Sequence, residues 1–449
     1  MKAEHSALMK EMNSEITRYL DELQAISQLS HDDLQERALT YIKKQLAHAT
    51  RSSPFYQQKY NDGDMTDHIH DLKDMESIPY TTKNDLKEQY PYGFLAVPMS
   101  EVVRYGESTG TTGKHTSSFM TKQDWEENIA RVTDALLHYY SRDDVVFIMI
   151  PYELAFASFD LEKAYWNIGA TVVSVGAKNS ICPMDRVAEM LMNLKPSSIV
   201  CSPTRAIRVY DLLKQKNYEP GDVNLKRIFY IGETCSNAKL EKLKQMWGVE
   251  LVSVYGSSET NSLSLPCEHG QQHLAEDRFY FELIDSETGD VAPDREAGEL
   301  VVTALTHQAF PLIRYRTGDL VKIQGTRCSC GSPFRTIRHL GRVYDRICVN
   351  NRYIQRLDLE ECVLSVSGTG CNFIHYNKDS DLIIAVEIAQ DYESVEVLRN
   401  VQEAVHRQFD IQVIVRMLDK ERVYKVMDES LKPGSIDWNK IFTEENNIH

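Results

Sequence analysis

From Asp143 onward, short apolar, β-branched runs alternate with helix-like stretches. The runs are "VVFIMI" (145–150), "TVVSV" (171–175), "SSIVCS" (197–202), "RIFYIG" (227–232) and "ELVSVYG" (250–256). Near-continuous apolar runs suit strands covered on both faces, and strands separated by helices pair in parallel. The expectation is therefore an α/β fold around a parallel sheet. Ligands of such sheets gather at the carboxyl ends of the strands. Two of those ends, "YIGET" (230–234) and "VYGSSET" (254–260), carry glycine, hydroxyl and carboxylate groups and are candidate binding loops.

Around this sheet the patterning changes twice. Residues 1 to about 90 read as helical and polar, ending in the turn-rich "SIPYTTKNDL". After Asp277, "RFYFELID", "GELVVTAL", "PLIRYR" and "DLVKI" are short alternating runs broken by Gly, Pro and Asp, which suggests an antiparallel or β-barrel-like subdomain. The stretch "GRVYDRICVNNRYIQ" (341–355) looks like a boundary. Beyond it, strand-like "DLIIAVEIA", a helical stretch from Ser394 to Gln408 and strand-like "IQVIVRML" predict a small α+β domain. A length of 449 residues fits this plan: a large domain over residues 1–344 and a small one over 345–449.

Composition excludes some partners. A formal charge of −16 opposes nucleic acid or anionic membrane. There is no apolar run of membrane-span length and no signal-peptide core, so the cytoplasm is the expected location. Nine cysteines, an odd number scattered over a long chain, read as thiols or metal ligands rather than a disulfide framework.

The stretch "YGESTGTTGKHT" (105–116) carries three glycines and five Ser/Thr hydroxyls. Glycine permits close backbone approach, and N–H and hydroxyl donors can ring a phosphate; a flexible surface loop would look similar. It is not the common phosphate-binding P-loop. Gly113-Lys114 is followed by His115, and Ser108 stands five residues before Gly113. Glu259 is either a ligand for a hard cation such as Mg²⁺ or a helix-start glutamate. Asp319, in "RYRTGDL", can accept both hydroxyls of a cis-diol or merely close a Gly-Asp turn. Cys267-x-His269 with His273, and Cys328-x-Cys330, are two groups of ligand types that a tetrahedral Zn²⁺ takes. With four protein ligands its role would be structural; unrelated thiols and histidines are the alternative.

Taken in order and spacing, "YGESTGTTGKHT", "VYGSSET", "FPLIRYRTGDL" and "GRVYDR" resemble the adenylate-forming ligase superfamily, which includes the acyl- and aryl-CoA synthetases. Through "RFYFELID…GELVVTALTHQAFPLIRYRTGDL" the likeness is closer to its phenylacetate–CoA ligase branch. The resemblance implies that a carboxylic acid attacks ATP to give an acyl-adenylate and pyrophosphate, and that a thiol then takes the acyl group. It assigns Ser108, Thr109, Gly110, Thr111, Thr112, Gly113 and Lys114 to the β- and γ-phosphates of ATP. Tyr255 falls near adenine, with Gly256, Ser257 and Ser258 in the same loop; Glu259 is then the Mg²⁺ ligand and Thr260 lies near the α-phosphate. Gly232, Glu233 and Thr234 occupy the adenine pocket, Asp319 the ribose, Arg342 the nucleotide and Asp345 the hinge. Some relatives carry a similar Cys/His site, whose register makes His273 rather than His269 the partner of Cys267, Cys328 and Cys330.

The resemblance thins at the C-terminus. The catalytic lysine implied there is best matched by Lys440, with Lys432 and Lys425 behind it. Tyr152, Phe156 and Phe159 are candidate walls for an aryl or arylacetic acid, although an aromatic stripe also suits a core. Asn350-Asn351 and Gln355-Arg356 depart from the family pattern beside the pantetheine tunnel. Coenzyme A, the phosphopantetheine of an acyl carrier protein and an amine all stay open as acceptors. A degenerate nucleotide-binding protein without activity is the alternative from another class. Relatives often dimerise, which implies a homodimer.

Overall fold

The computed structural model describes residues 14–60, 65–108, 113–177, 180–293, 296–325, 328–349, 352–378, 381–429 and 436. The chain divides into two units that are not collinear with it. One is drawn from Met1–Ser174 and Ser253–Val343, the other from Val175–Val252 and Tyr344–His449.

The first unit opens with α1 (Ser14–Ile26) and α2 (His31–Ser52). A reciprocal cap between Ser30 and Asp33 starts α2. Leu34, Ala38, Ile42, Leu46 and Ala49 then form its buried stripe, spaced three or four residues apart. Burying each large aliphatic side chain contributes about 2 kcal/mol, so this stripe does more for α2 than helix propensity. Strands β1 (Val102–Glu107) and β2 (Ser117–Thr121) pair antiparallel with Glu107 opposite Ser117, so residues 108–116 are the chain segment that joins them. Thr121 caps α3 (Lys122–Leu136) in another reciprocal box with Asp124. The buried Asp124 carboxylate also accepts the Gln308 and Ala309 N–H groups, at 2.7 and 3.0 Å. β3 (Val145–Ile148) and β4 (Thr171–Ser174) pair in parallel with α4 (Ala157–Ile168) between them in sequence. Gly169, at φ 86°, ends α4 in the left-handed conformation that glycine adopts without strain.

The second unit continues with α5 (Met184–Leu194), β5 (Ser198–Cys201), α6 (Pro203–Gln215), β6 (Arg227–Tyr230), α7 (Asn237–Trp247) and β7 (Glu250–Ser253). β5 and β6 pair in parallel, so the all-apolar runs form the expected parallel ladder.

Returning to the first unit, β8 (Tyr255–Ser257), β9 (Asn261–Pro266), β10 (Gln272–Leu274), β11 (Phe279–Ile284), β12 (Ala297–Ala304), β13 (Tyr315–Gly325) and β14 (Thr336–Arg342) form an antiparallel sheet in the order β11-β12-β13-β14-β10-β9-β8. The antiparallel subdomain thus starts at Tyr255, earlier than the composition change after Asp277 suggests. The run "ELVSVYG" is split between β7 and β8. Phe279, Phe281, Leu283, Leu300, Val302 and Val321 pack from this sheet into the unit's main core.

The second unit ends with β15 (Arg346–Val349), β16 (Arg352–Gln355), α8 (Arg356–Leu364), β17 (Thr369–Lys378), β18 (Asp381–Ile388), α9 (Ser394–Phe409), β19 (Val413–Met417) and α10 (Lys420–Glu429). β18 lies between antiparallel β17 and parallel β19, and Val397, Val401 and Val405 of α9 pack onto Leu382, Ile384 and Val386. No helix among the described residues is long and apolar enough to cross a membrane.

Candidate active site

The segment between β1 and β2 is closed at its base. Ser108 N–H donates to the Thr116 carbonyl and Thr116 N–H to Ser108 Oγ, each at 3.0 Å. Gly113 takes φ 92°, and Lys114 is exposed. Thr109, Gly110, Thr111 and Thr112 lie outside the described residues.

A carboxylate stands against that base. Thr116 Oγ1 donates to Glu259 Oε1 at 2.9 Å, and Lys83 Nζ lies 3.2 Å from the same oxygen. Glu259 is only 4% exposed. Burial pushes its carboxyl up, but the Lys83 ammonium and the Thr116 and Ser257 hydroxyls outweigh that and hold it below the ordinary glutamate value. It is therefore a buried carboxylate that stays ionised. Its position depends on the tight β8–β9 turn: a Cβ on Gly256 would meet the Asn261 carbonyl oxygen at 1.9 Å, so only glycine fits. Within the turn, Glu259 N–H donates to Ser257 Oγ at 3.3 Å, and Ser257 Oγ and Thr260 Oγ1 stand 3.0 Å apart. Thr260 is fully buried and Ser258 partly so.

A second carboxylate lies on β13. Tyr255 OH donates to Asp319 Oδ2 at 2.8 Å, and Arg342 Nε lies 3.3 Å from Oδ1. Asp319 and Arg342 are register partners across β13 and β14, which brings the two sequence motifs together. Arg314 and Arg316 make ion pairs with Glu282 at 2.8 Å and Glu299 at 2.5 Å. In the second unit, Gly232 takes φ 88°, and Glu233 accepts Thr204 N–H at 3.2 Å and its hydroxyl at 2.6 Å. Thr234 lies in the same loop. Asp345 is exposed, two residues beyond Val343, where the first unit ends.

The aromatic candidates lie around the start of α4. Phe156 is buried against Gly106 of β1, where a Cβ would meet its ring at 2.7 Å. The Tyr152 and Phe159 rings meet edge-on at 5.1 Å, and Tyr152 OH donates to Glu162 at 2.5 Å. Arg104 of β1 lies over the Phe159 ring at 4.1 Å.

The cysteine and histidine residues converge. The ligand atoms of Cys267, His273, Cys328 and Cys330 all lie within 4.8 Å of one another. Cys267 Sγ and Cys328 Sγ are 3.7 Å apart, and Cys330 Sγ and His273 Nε2 are 3.4 Å apart. Zn–S bonds of about 2.3 Å and Zn–N bonds of about 2.0 Å give tetrahedral edges of roughly these lengths. His273 Nδ1 lies 2.8 Å from the Phe334 carbonyl, which fixes the proton there and turns Nε2 toward the sulfurs. His269 is exposed and pairs with Glu268 at 3.7 Å.

The chain is similar to known proteins. Residues 108–305 match the model of the AMP-binding enzyme family. A phenylacetate-coenzyme A ligase of Pseudomonas putida is 30% identical over 347 residues, covering 75% of this chain and 77% of that protein. A phenylacetate-coenzyme A ligase of Aromatoleum evansii is 31% identical over 350 residues, covering 76% and 78%. The chain belongs to the phenylacetate–CoA ligase branch of the adenylate-forming enzymes. It is an AMP-forming carboxylic acid ligase. The fold agrees: a solved 2-hydroxyisobutyryl-CoA ligase in the postadenylation state, in complex with 2-HIB-AMP, superposes at a TM-score of 0.78 with 18% identity, covering 90% of this chain and 93% of that one.

Three side chains of this ligase escape sequence reasoning. Lys83 sits in a turn-rich stretch and reads as solvated. His339 faces Asp319, with Nε2 3.6 Å from Oδ1. Asp160 of α4 is fully enclosed and accepts from Trp125 Nε1 at 2.8 Å, Asn128 Nδ2 at 2.8 Å and Asn261 Nδ2 at 3.0 Å. Burial pushes its carboxyl up to about 6, with the Asn261 and Trp125 donors and the nearby Arg104 and Arg278 opposing. Asn261 takes a left-handed φ of 58° directly after Thr260, so Asp160 ties α4 to the turn that carries Glu259. Asp160→Ala leaves two buried donors and one partly buried donor without their acceptor and is expected to cost about 3 kcal/mol of stability in urea unfolding. A loss below about 1 kcal/mol would mean that those donors are satisfied elsewhere.

Proposed function

We propose that this ligase activates an aryl or arylacetic acid with ATP and then transfers the acyl group to the thiol of coenzyme A. The observation that carries the reading is the ionised, buried Glu259, joined through Thr116 to the base of the 108–116 loop, with Asp319 held ionised in the same unit.

In this reading the hydroxyl and N–H donors of Ser108, Thr109, Gly110, Thr111, Thr112 and Gly113, with Lys114, hold the β- and γ-phosphates while the acid attacks the α-phosphate in line. Thr260 lies by the α-phosphate. Asp319 accepts the ribose hydroxyls, Arg342 reaches the nucleotide, and Tyr255 and Gly232-Glu233-Thr234 line the adenine. Glu259 fits Mg²⁺, since it offers a hard oxygen donor that stays charged and its contacts with Thr116 and Lys83 both fall on Oε1. Magnesium, when bound, supplies charge neutralisation on the phosphates. What the chain supplies is positioning and a fixed field of donors, the dominant contributions in such transfers. Tyr152, Phe156 and Phe159 form the walls for the acid, and Asp345 is the hinge of the small C-terminal domain, residues 345–449. Cys267, His273, Cys328 and Cys330 hold a structural Zn²⁺.

Lys440 lies outside the described residues and is proposed as the lysine that bridges the acid and the α-phosphate. Lys440→Ala is expected to abolish most adenylate formation while sparing thioester formation from preformed acyl-AMP. Equal loss of both halves would remove Lys440 from this role.

The acceptor is the part of the reading that the sequence challenges. Gln355 ends β16 and Arg356 begins α8, where the family pattern differs. The test supplies coenzyme A, a pantetheinylated carrier protein and simple amines to enzyme loaded with ATP and phenylacetate or benzoate. Thioester formation with coenzyme A supports the proposal, and exclusive transfer to the carrier or to an amine overturns it.

A further inference from the structure

We propose that His339 is a positioning residue of the ribose site, holding the Asp319 carboxylate in the orientation that accepts the sugar hydroxyls. This rests on the reading of Asp319 as the ribose acceptor and adds a residue that no motif marks.

The backbone explains how it gets there. His339 and Arg342 are three residues apart on β14, and simple alternation would send them to opposite faces of the sheet. The register slips between the Asp319–Arg342 and Val321–His339 pairs, so three steps on β14 oppose two on β13. Gly341 lies within that irregularity at φ 102°, a conformation glycine takes without strain. The slip brings both side chains to the same carboxylate. His339 Nε2 stands 3.6 Å from Asp319 Oδ1, on the oxygen opposite the one bonded to Tyr255, and Arg342 Nε stands 3.3 Å from Oδ1.

Two further contacts fix the ring. Gly341 N–H donates to His339 Nδ1 at 3.4 Å, so in the neutral ring the proton sits on Nε2, the atom that faces Asp319. The imidazole also lies beside the Tyr255 ring, with centroids 4.7 Å apart. Its side chain is 19% exposed, against 57% for Arg342. The arginine contact is therefore the more heavily screened of the two. Burial pushes the Asp319 carboxyl up, but the His339 contact, the Arg342 guanidinium and the Tyr255 hydroxyl outweigh it and keep the group ionised. Tyr255 alone would hold one oxygen and leave the carboxylate free to pivot about it. Together with the more exposed Arg342, His339 flanks the other oxygen, and the partly buried imidazole, packed on the Tyr255 ring, limits that pivot.

The test measures dissociation constants of ATP, 2′-deoxyATP and 3′-deoxyATP by calorimetry on the full chain, so no acid substrate is needed. His339→Leu is expected to weaken ATP severalfold, through loss of a polar group packed 3.6 Å from the carboxylate, and to weaken the deoxy analogues much less. His339→Gln, whose amide N–H can reach the position of Nε2, is expected to recover most of the affinity and of the discrimination. If the leucine variant does not fold, His339→Asn replaces it, since its shorter amide does not reach Oδ1. Unchanged ATP affinity in the leucine or asparagine variant, or equal loss for all three nucleotides, overturns the role of His339. So does a glutamine variant no better than leucine. Asp319→Ala separates the two levels. If it leaves ATP affinity unchanged, the ribose reading itself fails; if it weakens ATP while His339→Leu does not, only the present inference fails.

Discussion

Glu259→Gln is expected to lower acid-dependent ATP–pyrophosphate exchange roughly 100- to 1,000-fold, the size of losing one preorganised charged group at a phosphate site. The amide keeps the shape of the side chain and can still accept from Thr116, so the fold should hold and the melting temperature should stay close to that of the parent. What disappears is the negative charge that Lys83, Thr116 and Ser257 keep ionised despite 4% exposure. Measured at saturating ATP, the loss should fall on kcat and should not be recovered by raising magnesium. Exchange within a few-fold of the parent would mean that Glu259 is a structural partner of Lys83 and Thr116 and nothing more.

The second large effect concerns the metal candidates. Joint Cys328→Ser and Cys330→Ser substitution removes two of the four ligand atoms that lie within 4.8 Å of one another. It is expected to reduce zinc from about one ion per chain to none and to cost 3 kcal/mol or more, because a structural site contributes its binding energy to folding. The ligands come from the end of β9 (Cys267), from β10 (His273) and from the segment between β13 and β14 (Cys328 and Cys330), so the loss should loosen that edge of the antiparallel sheet. Elemental analysis and chemical unfolding of the parent and the variant decide it. A metal-free parent protein of undiminished stability would leave four neighbouring side chains with no metal role.

Much of the fold is legible because it follows from local pattern. The apolar β-branched runs become β3, β4, β5 and β6, and the tail's strand–helix–strand becomes β18, α9 and β19. β17 escapes because "TGCNFIHYNK" mixes polar residues into its strand and carries no clean alternation. The division of "ELVSVYG" into β7 and β8 escapes because the turn that follows is set by the close approach of Gly256 to Asn261, a contact no periodicity reveals.

The same contrast runs through the site. Glu259 and Asp319 sit in Gly- and hydroxyl-rich stretches of sequence, where a carboxylate announces itself. Lys83 becomes legible only once the 108–116 segment and the β8 turn are folded together, since its partner is remote in sequence. Asp160 reads as a solvated helix acid, yet donors from α3 and β9 enclose it. His339 is hidden by the slip at Gly341, because alternation assigns it to the wrong face. For the metal candidates, spacing supplies the ligand types, while the pairing of His273 with Leu265 and with Thr336 supplies their convergence.

The most direct test of the central claim is ATP–pyrophosphate exchange on the intact protein, with magnesium, over a panel of aromatic, arylacetic, amino and fatty acids. The expected result is exchange that depends on an aryl or arylacetic acid and is lost in Glu259→Gln. Tight ATP binding with no exchange for any acid in the panel would contradict it.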